Sequence, residues 1–89
     1  MKIKWSDFAK SELNLIFKYY ESKVNSGVAL KITSEIVKGC EILLIESKIG
    51  PLEELYFKDK EIRILLIGNY KLAYFIRNET IEILDVFDS

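Results

Sequence analysis

A single Gly-Pro pair, Gly50-Pro51, divides this chain of 89 residues into two parts with different hydrophobic periods. Before the pair, apolar residues recur every three or four positions, which is the period of an amphipathic helix. After it, β-branched and aromatic residues predominate, which favours strands. A glycine followed by proline ends a helix firmly, because proline has no N–H and cannot continue it. Since 89 residues are too few for two hydrophobic cores, both parts are expected to form one α+β domain over residues 1–89.

The first part predicts a helical hairpin over residues about 7–48. Ser6 offers an N-cap, and the apolar residues after it favour a helix over about 7–22. Asn25-Ser26-Gly27 is a short connection typical of antiparallel helices. A second helix is expected to continue to Gly50-Pro51, with Gly39 inside it at a cost of about 1 kcal/mol relative to alanine. Its apolar row consists of Ala29, Ile32, Ile36, Cys40 and Leu43, followed by Ser47.

The second part predicts a β-meander over residues about 61–87. Its three strand-like runs are 61–67, 70–76 and 80–87, with hairpin-sized connections at Gly68-Asn69 and at residues 77–79.

Two further segments complete the expected architecture. Ile3 and Trp5 alternate with lysines, which predicts a short N-terminal strand. Leu52 to Lys60 is acidic and aromatic and is expected to be a loop or a short helical turn. The expected fold is therefore an N-terminal strand and an antiparallel α-hairpin packed on a three- to four-stranded antiparallel β-sheet.

A two-residue loop at Gly68-Asn69 would fix the pairing of the first two meander strands. Ile67 then faces Tyr70 and Arg63 faces Tyr74, which places Arg63, Tyr70 and Tyr74 on one side of the sheet. The other side carries Ile62, Ile64, Leu66, Lys71, Ala73 and Phe75. Both sides are mostly apolar, so one is expected to pack against the hairpin and the other to be covered by a partner.

Residue usage excludes several kinds of chemistry. The chain has one cysteine, Cys40, and no histidine, which excludes a disulfide, a multi-cysteine metal site and His-dependent nucleophilic catalysis. Any catalysis would use carboxylates, Lys, Arg or Tyr, and neither a metal nor another cofactor is expected.

Thirteen basic residues against fourteen acidic ones give a net charge of −1, whereas a general nucleic-acid binder usually has a basic excess. The sequence has no apolar run of about 18 residues and no signal-peptide pattern, so a cytoplasmic protein without membrane contact is expected.

Several residues occur in a characteristic order along the chain. A strand with Trp5-Ser6 precedes a helix with Ala9 and Leu13 and a longer helix ending at Ile49-Gly50. They are followed by Arg63, Gly68-Asn69-Tyr70, Tyr74 and the run Ile83-Leu84-Asp85-Val86-Phe87. Together these residues resemble the RelE/ParE toxin superfamily over nearly the whole chain, most specifically from Arg63 to Tyr74. Its members are the small toxins of type II toxin–antitoxin modules, often labelled plasmid stabilisation proteins.

The resemblance implies a cognate antitoxin whose C-terminal segment wraps the toxin and adds a strand or helix to its exposed surfaces. It also implies one of two activities: RelE-like members cut mRNA on the ribosome with basic residues on the sheet, whereas ParE-like members poison DNA gyrase without a catalytic set. In this chain Leu66 stands about where RelE-like enzymes carry a sheet arginine, and Asp85 occupies a position that is often basic. A carboxylate there would oppose phosphodiester cleavage, which needs cations around the developing charge.

We therefore expect a ParE-like toxin that acts by protein–protein binding, with DNA gyrase as the target by resemblance, and that forms a hetero-oligomer with its antitoxin. The hairpin helices are expected to contact the target, and the open sheet face with Arg63 and Tyr74 to contact the antitoxin. The residues expected to contact antitoxin or target are Arg63, Tyr70, Tyr74 and Trp5.

Two other functions and a structural role for each residue stay open at this point. The chain could be a RelE-like ribosome-dependent mRNA endoribonuclease, with Arg63 and Tyr74 as candidate catalytic residues and Lys71 and Arg77 nearby. It could also be a degenerate toxin that retains only antitoxin binding, which Asp85 favours. Structurally, Arg63 could form an ion pair with Glu53, Glu54 or the last strand. Tyr74 could be cross-strand packing, Tyr70 a turn anchor and Trp5 a core residue.

Overall fold

The computed structural model describes residues 1–53 and 61–89. In chain order it contains β1 (Lys2–Trp5), α1 (Asp7–Lys23), α2 (Ser26–Gly39), a 3₁₀ helix (Cys40–Leu44), β2 (Arg63–Ile67), β3 (Tyr70–Arg77) and β4 (Thr80–Asp88). The predicted α+β class is confirmed, since two helices pack on a four-stranded sheet that includes an N-terminal strand. In the described parts of the chain, neither helix has the length and apolar character needed to cross a bilayer.

Side-chain caps fix the start of both helices. The hydroxyl of Ser6 accepts a hydrogen bond from the N–H of Ala9 at 3.0 Å, as the sequence predicts, and donates one to the C=O of Leu84 at 3.2 Å. The side chain of Asn25 accepts from the N–H of Val28 at 2.8 Å and caps α2. Ser6 thus joins the first turn of α1 directly to β4.

The second helix is shorter than its apolar row predicts. It ends at Gly39, and the chain continues as the 3₁₀ helix, whereas the sequence pattern predicts one helix to about residue 48. Glycine is a poor helix former, and Gly39 also packs tightly on β2, where an added Cβ would lie 2.7 Å from Cγ2 of Ile67. The row of apolar residues nevertheless faces the core, because Cys40 and Leu43 are buried.

The sheet is mixed rather than wholly antiparallel. Its strand order is β1-β4-β3-β2, and the three meander strands pair antiparallel as predicted. β1 pairs parallel to β4, with Ile3 beside Ile81. An alternating pattern predicts a strand but not its direction relative to a distant strand, and the intervening hairpin supplies the crossover that parallel pairing requires.

The predicted register of β2 and β3 is confirmed, but the face that was expected to be open is the buried one. Arg63 lies opposite Tyr74, and Ile67 lies opposite Tyr70. Tyr74 is 0% exposed and belongs to the core cluster that also holds Ile36 and Leu43 of the hairpin side. The expectation that Tyr74 lies on an open face is therefore wrong: both faces are apolar, and the sequence pattern does not say which of them the hairpin covers.

On the sheet face that the hairpin does not cover, the exposed apolar residue Leu66 lies near the β2–β3 turn. Ile62, Ala73 and Phe75 are buried there, whereas Leu66 is 62% exposed. The segment Leu52 to Lys60 is expected to be a loop or a short helical turn. Leu52 forms an isolated antiparallel bridge with Arg63, and residues 54–60 lie outside the described residues.

Candidate functional site

Tyr74 and Arg63 hold the segment that leads from the 3₁₀ helix to β2. The hydroxyl of Tyr74 donates a hydrogen bond to the C=O of Ser47 at 2.8 Å and accepts one from the N–H of Gly50 at 3.0 Å. Because these main-chain groups lie outside regular structure, the tyrosine supplies partners that a helix or strand would otherwise provide. Burial raises the pKa of Tyr74, while the Gly50 N–H and the Arg63 charge oppose that shift, so the hydroxyl keeps its proton.

Arg63 acts on the same segment from the neighbouring strand. Its guanidinium donates hydrogen bonds to the C=O of Lys48 at 3.1 Å and of Gly50 at 2.9 Å. Together with Tyr74 it forms what we call the 47–50 clamp, in which the two side chains bind main-chain groups of Ser47, Lys48 and Gly50.

Gly50 is required by the close approach that the clamp enforces. A Cβ at this position would lie 2.7 Å from the C=O oxygen of Ile64 and 3.0 Å from the ring of Tyr74. The Gly-Pro pair therefore marks more than a helix end, because the chain passes directly against β2 at this point.

A groove lies beside the clamp, and we call it the β2 groove. It has a volume of about 560 Å³ and is bordered by Ile49, Gly50, Pro51, Glu53, Ile64, Leu65, Leu66, Lys71 and Phe87. Most of these residues are apolar, and Ile49 and Leu66 are exposed. The groove thus has the mainly apolar composition that is common among protein-binding and ligand-binding surfaces.

The main chain of β2 is partly unpaired along this groove. The N–H of Glu53 donates to the C=O of Ile62 at 2.7 Å, and the N–H of Ile64 donates to the C=O of Pro51 at 3.0 Å. Because alternate residues point to the same side of a strand, the main-chain groups of Leu66 point the same way as those of Ile64. In the described parts of the chain, no strand pairs with that side of Leu66.

The other two predicted contact residues lie away from the clamp. The hydroxyl of Tyr70 donates to that of Tyr20 on α1 at 3.3 Å, which ties the β2–β3 turn to the hairpin. Burial raises the pKa of Tyr70, and the hydrogen bond to Tyr20 adds to the shift. Trp5 is half-buried in β1 and packs against the core beside the buried Cys40. The structure thus brings Arg63 and Tyr74 together but separates them from Trp5.

The charged side chains near the clamp include cations with partners and a carboxylate with a buried oxygen. Arg63 is engaged with main-chain carbonyls, and Nε of Arg77 lies 2.9 Å from the carboxylate of Glu82. One carboxylate oxygen of Asp85 is buried, with no hydrogen-bond partner within residues 1–53 and 61–89. Burial raises the pKa of Asp85 and Glu12 raises it further, while the Val86 N–H opposes the shift. Over the same residues, no group of three or more acidic or cysteine side chains could hold a metal ion.

Sequence reasoning found the two side chains of the clamp but missed what they bind. Ser47, Lys48 and Gly50 contribute main-chain atoms, so their side chains carry no signal of the contact. The available signal was Gly50-Pro51 itself, since a glycine before a proline can also indicate a close main-chain approach.

The chain is similar in sequence to one family model and in fold to a solved structure. The family model described as "ParE toxin of type II toxin-antitoxin system, parDE" matches residues 3–89. A solved structure titled "Chromosomal ParDE TA system from P. aeruginosa" is similar in fold, with a TM-score of 0.84 and 21% sequence identity over 99% of this chain and 95% of the other. A search of curated protein sequences gave no match.

Proposed function

Because this chain belongs to the ParE toxin family of type II toxin–antitoxin systems, we propose that it arrests growth by binding a protein target and that a cognate antitoxin neutralises it. By family resemblance the target is DNA gyrase, in the cytoplasm. The observation that supports binding over catalysis is the use of Arg63 and Tyr74 in the clamp. Both candidate catalytic side chains are committed to main-chain groups, and Tyr74 is inaccessible to a substrate.

The proposed antitoxin site is the β2 groove. An extended antitoxin segment would pair its main chain with the unpaired side of Leu66 and place apolar side chains against Ile49 and Phe87. In this proposal Arg63 and Tyr74 are positioning residues, since they hold the segment that forms one wall of the groove. Direct contact with the antitoxin then falls to Leu66 and Ile49 rather than to Tyr74.

A substitution at Leu66 tests the antitoxin site. Leu66→Asp is expected to weaken antitoxin binding by about tenfold or more, since burial of a leucine contributes about 1.5–3 kcal/mol. Leu66 is exposed in the free chain, so the free energy of unfolding should change little. Isothermal titration calorimetry with the product of the adjacent reading frame measures the affinity. The matched control is Leu15→Asp on α1, where Leu15 is 58% exposed. A loss of affinity for the control with wild-type affinity for Leu66→Asp would contradict this placement.

Two assays distinguish the proposed target from the RelE-like alternative. The purified chain is expected to inhibit DNA supercoiling by gyrase and to leave translated mRNA intact. Cuts in translated mRNA in codon register would instead establish the ribosome-dependent endoribonuclease. Wild-type antitoxin binding with neither effect would indicate the degenerate toxin that has kept recognition alone.

A further inference from the structure

The N-terminal strand leaves one side of its main chain unpaired. β1 is the last strand of the sheet on the β4 side. The N–H of Ser6 donates to the C=O of Ile83 at 2.9 Å, so the main chain of Ser6, Lys4 and Lys2 points toward β4. Since successive residues of a strand alternate, the N–H and C=O groups of Ile3 and Trp5 point away from β4. In the described parts of the chain, no strand pairs with that side of β1.

These main-chain groups border a second groove, which we call the β1 groove. Its volume is about 790 Å³, and it lies between β1 and the helices. Apolar side chains of Ile3, Trp5 and Leu13 line it, and Val37 of α2, which is 40% exposed, lies on the helical side. A strand laid along β1 would therefore find both hydrogen-bonding groups and an apolar surface for its alternate side chains.

Three lysines and two acidic residues lie in or beside the β1 groove. Lys4 and Lys10 line it, and Lys2 is exposed on the same strand. The acidic residues that line it are Asp7 and Glu82, and the carboxylate of Glu82 is already paired with Arg77. Within residues 1–53 and 61–89, none of the three lysines forms an ion pair. The groove thus presents positive charge locally although the whole chain has a net charge of −1.

The same lysines disfavour a second copy of this chain as the occupant. Antiparallel pairing of two β1 strands about Ile3 would place Lys2 of each copy opposite Lys4 of the other. Like charges directly opposite each other destabilise a strand pair, and edge lysines are a common protection against such self-association.

We propose that the open edge of β1 is a docking site for an extended acidic segment of a partner protein. The segment adds a strand to the sheet through the main chain of Ile3 and Trp5, and its carboxylates pair with Lys2, Lys4 and Lys10. This edge lies at the opposite end of the sheet from β2, so an antitoxin strand in the β2 groove leaves it free for a different protein.

A peptide titration of the full chain tests the docking site. The probe is an acetylated and amidated hexapeptide of alternating Glu and Val, and its counterpart has Lys in place of Glu. Trp5 is the only tryptophan of the chain, so its fluorescence reports on this edge directly. We expect a saturable fluorescence change with the acidic peptide and slowed hydrogen exchange at the Ile3 and Trp5 amides. Equal binding of the basic peptide, no saturation, or exchange protection at Leu66 instead would overturn the proposal.

A charge-reversed variant tests whether the lysines beside the β1 groove bind the peptide, rather than the overall charge of the chain. Lys2→Glu combined with Lys10→Glu is expected to weaken binding of the acidic peptide by about tenfold, because each reversed charge replaces an attraction to its carboxylates with a repulsion. The matched control is Lys18→Glu combined with Lys23→Glu, which makes the same charge change on exposed positions later in α1. Equal weakening in both variants would overturn the site, as would a dimer of the free chain with protected Ile3 and Trp5 amides.

Discussion

Among single residues, Tyr74 joins the main chain of Ser47 and Gly50 to the hydrophobic core. Its ring fills the core and its hydroxyl satisfies one donor and one acceptor of the main chain. Tyr74→Phe keeps the ring but leaves the Gly50 N–H and the Ser47 C=O without this partner. We expect the free energy of unfolding to fall by about 1–3 kcal/mol, as measured by urea denaturation.

The control for Tyr74 is a tyrosine whose side chain faces solvent. Tyr19 is exposed on α1, and Tyr19→Phe is expected to change stability by less than about 0.5 kcal/mol. If Tyr74→Phe were as stable as the wild type, the clamp would not hold the segment as described.

Asp85 is expected to make stability depend on pH. Burial raises its pKa above the ordinary value of 3.8, and the charge of Glu12 contributes in the same direction. The folded chain therefore binds a proton more tightly than the unfolded chain. The contribution of Asp85 to stability is greatest well below its ordinary pKa, decreases as pH rises through the folded pKa, and stays at its lower level above it.

Asp85→Asn removes this penalty without a large change in shape. We expect the variant to be more stable than the wild type at about pH 7, the difference to shrink as pH falls through the raised folded pKa, and to disappear well below 3.8, where Asp85 is protonated in both states. Urea denaturation at several pH values measures this, with Asp88→Asn at an exposed position as the control. An advantage for Asp85→Asn that grew on acidification would contradict the proposed cause.

At the scale of structural elements, the β3–β4 turn carries a correctable strain. Asn78 and Glu79 both have positive φ angles, of 51° and 57°. Such a pair is typical of a type I′ turn, which favours Asn followed by Gly. Glu79→Gly is expected to raise the free energy of unfolding by about 0.5–1 kcal/mol, because glycine adopts this conformation without a Cβ penalty. Glu79→Ala retains the Cβ and should give no such gain, so an equal gain in both variants would assign the effect to the lost charge.

Some features of the helices and strands follow from residues that are neighbours in the sequence, and others depend on distant contacts. The register of Arg63 with Tyr74 follows from the short Gly68-Asn69 loop, and the start of α1 follows from the cap at Ser6. The parallel direction of β1 was not predictable, because it depends on a contact with β4 about 80 residues away in the chain. The end of α2 at Gly39 was not predicted either, and Gly39 packs against Ile67, which lies far away in the sequence.

At the scale of the whole molecule, the two ends of the sheet have different surfaces. The β2 groove is mainly apolar and adjoins the clamp, whereas the β1 groove is bordered by lysines. The sequence identified Arg63, Tyr74 and Trp5 as residues of interest. It could not assign Tyr74 to the buried face, since both faces of the meander are apolar. A partner in the β2 groove would contact the segment that the clamp holds, whereas a partner in the β1 groove would not.

Growth of a bacterium that expresses the 89-residue chain from an inducible promoter tests the central proposal most directly. We expect growth to stop on induction, an SOS response to accompany the arrest, and co-expression of the adjacent reading frame to restore growth. An SOS response is the expected consequence of poisoned gyrase. Normal growth of cells that accumulate the folded chain would contradict a toxic function, and arrest without an SOS response would contradict gyrase as the target.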